Sequence, residues 1–152
     1  MVEKALDTFI NSIINYFENT YNININIGSP YLITQLSELN GDYTGVIIIS
    51  GEYNGSCYFS TPKSLLQKVL KSLEIDQHVD IESEAVLTDI AGEIANTLSG
   101  NARAELGEDF IISIPKVYTG KSTLEALSED LRTYAIPVTW NNEKAFLGVT
   151  LS

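Results

Sequence analysis

The chain has 152 residues, and its 20 acidic and 9 basic side chains give a formal net charge of −11; a chain of that length can hide roughly two thirds of its unfolded surface in one core. The charge repels phosphate backbones, which excludes DNA and RNA as natural partners and suits a protein partner whose contact surface is basic. Hydrophobic residues make up 44% of the chain, which excludes disorder, and no apolar stretch approaches the ~20 residues that cross a bilayer. The opening residues Met1-Val2-Glu3-Lys4 lack a secretion signal and Cys57 has no second cysteine to pair with, so the reading is a cytoplasmic protein with one domain over residues 1–152 and no membrane partner.

Along residues 2–21, Leu6, Phe9, Ile10, Ile13, Ile14 and Phe17 recur at the spacing of an amphipathic helix. The Asn/Ile alternation of residues 22–27 has a strand's period of two, or forms an extended connector, and residues 31–36 read as another short strand. Residues 43–50 and 56–60 read as strands joined around Asn54-Gly55, the pair suited to a type I′ turn. Thr61-Pro62 then supplies an N-cap and a first-turn proline for a second helix carrying Leu65, Leu66, Val69, Leu70 and Leu73. After a polar break at Asp76-Gln77-His78, a long helix is predicted from about Ile81 to Leu106, capped by Asp80 and stopped by Gly107. Residues 110–117 read as a strand, 122–127 as one helical turn or a loop, and 131–140 as a strand that Asn141-Asn142 turns back into residues 144–151. The resulting fold class is α+β, a largely antiparallel sheet with long helices packed on one face.

At about 100° per residue, Leu87, Ile90, Ile94, Leu98 and Ala102 gather on the core side of the long helix. Asp89, Glu93, Asn96, Gly100 and Arg103 gather on the opposite side as a continuous stripe, so a partner laid along the helix meets Glu93 and Asn96 together. Glycine inside a helix costs roughly 1 kcal/mol relative to alanine. Gly92 and Gly100 therefore call for close approach to the backbone, either by a neighbouring helix of the same chain or, for Gly100 on the polar stripe, by a partner.

The run Asp89-Ile90-Ala91-Gly92-Glu93-Ile94-Ala95-Asn96, continuing Thr97-Leu98-Ser99-Gly100-Asn101-Ala102, resembles the signature of the CheC/CheX/FliY phosphatases: Asp or Ser, three residues, Glu, two residues, Asn. The Gly-Asn-Ala that follows is similar to CheX in particular, as are residues 44–51, Gly55-Ser56 and Thr61-Pro62. CheC-type members carry a second copy on the first helix. Here that helix offers Asp7, Asn11 and Asn15 but no Glu with an Asn three residues later, which implies one active site per chain, as in CheX.

The resemblance implies a CheC-like fold and a phosphatase acting on the aspartyl phosphate of a CheY-like response regulator in chemotaxis or other two-component signalling. Glu93 would pair with the regulator's lysine beside the phosphorylated aspartate, and Asn96 would orient the attacking water. Asp89, Gly100 and Arg103 would form the partner-binding rim. The chain would carry no cofactor of its own, the Mg2+ belonging to the regulator, and would form a homodimer through strands. The rival reading is a non-catalytic adaptor of the same fold that docks on a receiver or on the flagellar switch; the intact Glu93 and Asn96 favour the enzyme. His78 lacks the neighbours a catalytic histidine needs, Cys57 reads as a small core residue, and Tyr134 and Trp140 as core or interface aromatics.

Overall fold

In the computed structural model, residues 2–39, 41–72, 80–120 and 132–151 are described. Three helices, α1 (Val2–Tyr21), α2 (Lys63–Ser72) and α3 (Glu84–Leu106), pack on a sheet of eight strands. The strands are β1 (Asn26–Ile27), β2 (Tyr31–Ile33), β3 (Tyr43–Gly51), β4 (Gly55–Thr61), β5 (Phe110–Ile112), β6 (Lys116–Thr119), β7 (Thr133–Trp140) and β8 (Glu143–Leu151). Every pairing is antiparallel. The order is β1-β7-β8-β4-β3-β5, with β2 also on β7 and β6 also on β3.

Alternation along the central strands sends Tyr43, Ile47, Ile49, Cys57, Phe59, Leu147 and Val149 to the helical side, where they meet Phe9, Ile13, Phe17, Leu66, Leu87, Ile94 and Leu98. On the other face, Val46, Tyr58 and Ala135 pack under Ile33, Leu36 and Leu39, the last two from a short 3-10 helix, Leu36–Leu39. Helix α3 lies so close to β3 that a Cβ on Gly45 would sit 2.8 Å from both the Ala91 carbonyl oxygen and the Ala95 Cβ. Only a glycine at 45 lets the helix settle onto the middle of the sheet.

Several sequence expectations change. The Asn54-Gly55 pair does not form a two-residue turn: β3 and β4 last pair at Ile49↔Gly55, and Gly51, not Asn54, takes the positive φ, 97°. A Cβ on Gly51 would also run into the Asp109 carbonyl oxygen, so the position suits glycine on both counts. The two-residue turn with both φ values positive occurs instead at Asn141 (50°) and Asn142 (61°), between the paired Trp140 and Glu143.

The single strand expected over residues 110–117 is two. Residues 113–115 face only Ile47 and Ile48, since Ile49 pairs with Ile112 and Val46 with Lys116, so one extra residue makes a bulge. Ser113 sustains it: its N–H donates to the Ile48 carbonyl and its Oγ accepts the Ile48 N–H, both at 2.9 Å. Helix α3 begins at Glu84 rather than about Ile81, with Ser83 as the cap, its Oγ accepting from Val86 N–H. Asp80 instead closes the preceding turn, accepting from Glu82 N–H at 3.0 Å.

Helix α2 takes its cap from Asp42, whose carboxylate accepts the Lys63 N–H at 2.8 Å, while the Thr61 hydroxyl donates to the Pro62 carbonyl. The Asn/Ile run pairs only at Asn26 and Ile27, because Asn22, at φ 56°, ends α1 with its N–H on the Glu18 carbonyl. The polar break with His78 and the stretch 122–127 lie outside the described residues.

Candidate functional site

The site is the outer face of α3, an unbroken helix of 23 residues. Leu87, Ala91, Ile94, Ala95, Leu98 and Ala102 are fully buried beneath it, and Ile90 is half-buried. Apolar side chains at these spacings bury one face and leave the opposite face in water. Asp89, Glu93, Asn96 and Arg103 are accordingly exposed and Gly100 is half-buried. Glu93 and Asn96 stand one helical turn apart, where neighbouring side chains lie close enough to act together.

The polar groups along the stripe differ in what they touch. Among the described residues, no ion pair or side-chain hydrogen bond engages Asp89, Glu93 or Asn96. Arg103 is engaged: its Nε donates to the Phe110 carbonyl at 2.9 Å, tying the end of α3 to the start of β5. The Gly107 N–H on the Arg103 carbonyl closes the helix there. Gly92 is buried, and a Cβ there would come 3.2 Å from Val117 Cγ2, so its close neighbour is strand β6 of the same chain rather than a helix. Gly100 has open space, with nothing within 4 Å of where a Cβ would stand.

The end of α1, which packs along α3, carries a feature the sequence reading missed. The hydroxyls of Tyr16 and Tyr21, at the end of α1, are hydrogen-bonded at 2.9 Å, with their rings packed edge-on at 5.5 Å. Burial pushes both phenols above their ordinary pKa of 10.0, and the nearby Glu93 charge pushes them further in the same direction. Tyr16 follows Ile13 by three residues, and that spacing was the available signal that it belongs to the buried face of α1.

The description Chemotaxis phosphatase CheX covers residues 43–139, well over half of the chain. The chain belongs to the CheX family. Solved structures of similar fold include a chemotactic CheC-like protein from Shewanella oneidensis, with TM-score 0.79 and 21% identity over 100% of both chains. The chemotaxis protein CheX from Desulfovibrio desulfuricans has TM-score 0.77 and 26% identity over 98% of this chain and 99% of its own. A third is the CheX-CheY-BeF3-Mg2+ complex from Borrelia burgdorferi, with TM-score 0.75 and 15% identity over 96% of both chains. No curated protein sequence matches the chain. The segment 89–96 lies wholly on α3, and the residues it exposes are Asp89, Glu93 and Asn96.

Proposed function

We propose that this CheX-family chain hydrolyses the aspartyl phosphate of a CheY-like response regulator, with Asn96 and Glu93 inserted at the regulator's phosphorylation site. The observation that carries the reading is the pair itself: a carboxylate and a carboxamide side by side, exposed and uncommitted, on a rigid helix. The membership in the CheX family and the fold shared with a CheX-CheY complex support the choice of partner.

An acyl phosphate is already activated, so the catalyst has to place a water in line with phosphorus and stabilise developing charge. The water oxygen bonds to phosphorus as the bond to the aspartyl oxygen breaks. The products are a free carboxylate and dihydrogen phosphate, whose added protons come from the water, so no general base is consumed. Asn96 can accept one water proton in a hydrogen bond through its carbonyl oxygen while its NH2 group donates elsewhere, which fixes the water's orientation. Glu93 provides a charge-assisted contact for a lysine beside the phosphorylated aspartate and sets the register of the two proteins. Asp89 and Gly100 flank the contact, and Arg103 holds the end of α3 in place through Phe110. The Mg2+ that offsets phosphoryl charge belongs to the regulator.

The chain also pairs with a second copy in this proposal. The support is an apolar group beside the β5–β6 margin of the sheet, where Ile114 is 87%, Ile48 53% and Ile111 51% exposed.

The test is phosphate release from phosphorylated regulators. Asn96→Ala is expected to keep docking and to lose about 100-fold or more in kcat, whereas Glu93→Ala raises KM by about tenfold or more. Binding by the wild type without any acceleration of release would make the protein an adaptor.

A further inference from the structure

Two buried phenols at the end of α1 share one hydrogen bond, and their hydrogen-bond count does not close among the described residues. Tyr16 is 4% and Tyr21 7% exposed. Each hydroxyl brings one proton, and the contact between the two oxygens uses only one. Among the described residues, no acceptor takes the other.

The helices that carry these groups face each other and run in opposite directions. The Ser12 hydroxyl, early in α1, donates to the Leu98 carbonyl of α3 at 2.6 Å, and Phe9 reaches Phe110 beyond the end of α3. Moving up α1 from Ser12 by one and two turns therefore means moving down α3 from Leu98 towards Glu93. The Glu93 charge adds to the upward push on both phenols, in keeping with its place on the stretch of α3 that this end of α1 runs alongside, and among the described residues no cation pairs with it.

We propose that the Tyr16–Tyr21 hydroxyl pair is a positioning device for Glu93. Its spare proton, passed through one bridging water to the carboxylate, would hold that side chain aimed outward before the partner arrives. The inference rests on the docking role proposed for Glu93. A long, exposed glutamate otherwise has to give up rotamer freedom when it is fixed by a partner, and a donor behind it removes part of that loss. Tyrosine suits the task because its ring is locked in the core while the hydroxyl reaches the boundary.

The test separates positioning from packing. Replacing both hydroxyls leaves no orphaned polar group, so the double variant Tyr16→Phe/Tyr21→Phe is expected to fold with an unchanged melting temperature. Its dissociation constant for a CheY-like receiver carrying BeF3− and Mg2+ is expected to rise about tenfold, with kcat on the phosphorylated receiver changed by less than about twofold. In protein labelled with 13C at the tyrosine ζ carbon, Glu93→Ala is expected to shift the Tyr16 and Tyr21 resonances and leave those of the other tyrosines in place.

A double variant that docks as tightly as the wild type would make the pair a packing feature only, and unmoved resonances would remove the link to Glu93; either overturns the proposal. A wild type that docks without releasing phosphate would end the phosphatase reading, while the loss of docking in the double variant would still support the positioning role. A wild type that docks on no receiver would overturn both.

Discussion

At Gly100 the helix gives up about 1 kcal/mol of propensity and its own fold returns nothing for it, since a Cβ there meets nothing within 4 Å. Gly92 is the contrast, because Val117 stands where its side chain would go. Gly100→Ala is therefore expected to raise stability by about 0.5–1 kcal/mol, read as a higher urea midpoint, and at the same time to weaken regulator docking, because the added methyl stands on the stripe one turn beyond Asn96. A variant that is more stable and equally active would show that this glycine makes room for nobody. Single residues also set the behaviour in alkali. Burial pushes the Cys57 thiol up from 9.0 to about 12, and burial likewise raises Tyr16, Tyr21 and Tyr43 above 10.0. In each case the unfolded chain loses its proton first. Stability from these groups is thus complete below pH 9 and falls as pH climbs towards the folded values, at up to about 1.4 kcal/mol per pH unit for each group. Urea midpoints should decline from pH 9 and more steeply past pH 10, and Cys57→Ala should remove the first stage of that decline.

Elements show which parts of the structure can be read from neighbouring residues and which depend on distant ones. The face of α3 was legible because a period of 3.6 fixes it locally: Leu87, Ile94, Leu98 and Ala102 point in, so Glu93 and Asn96 must point out. The antiparallel sheet followed from strand patterns and the Asn141-Asn142 turn. What failed depended on partners remote in sequence. The cap of α2 comes from Asp42, 21 positions before Lys63; the bulge at residues 113–115 exists because Ser113 bonds Ile48. The bonded Tyr16–Tyr21 pair, and its place beside α3, needed the packing of α1 on α3, which no local pattern reports. The remote cap gives a direct check. Asp42→Ala should cost about 1 kcal/mol by loss of the bond to Lys63 N–H, seen as a lower urea midpoint. No such loss would mean that the free helix end is satisfied by water.

At the scale of the whole molecule, the two proposed contacts, with a regulator and with a second copy, use different parts of the surface. The formal charge of −11 makes each copy repel another at long range, so self-association needs an apolar contact that excludes water. The proposed contact is the sheet margin, where Ile114, in the bulge between β5 and β6, is 87% exposed and Ile48 and Ile111 are exposed as well. The polar stripe proposed to dock the regulator lies on α3, on the helical layer, so a dimer formed through the sheet margin leaves one stripe open on each copy. Ile114→Asp places a charge in the middle of the apolar group and adds to the repulsion between copies. It is expected to convert a dimer to a monomer in light scattering at about 50 μM protein, where an interface of ordinary size is occupied, and to leave phosphate release per chain unchanged. A wild type that is already monomeric at that concentration would end the dimer proposal. Loss of activity on dissociation would mean instead that the second copy helps to build the site.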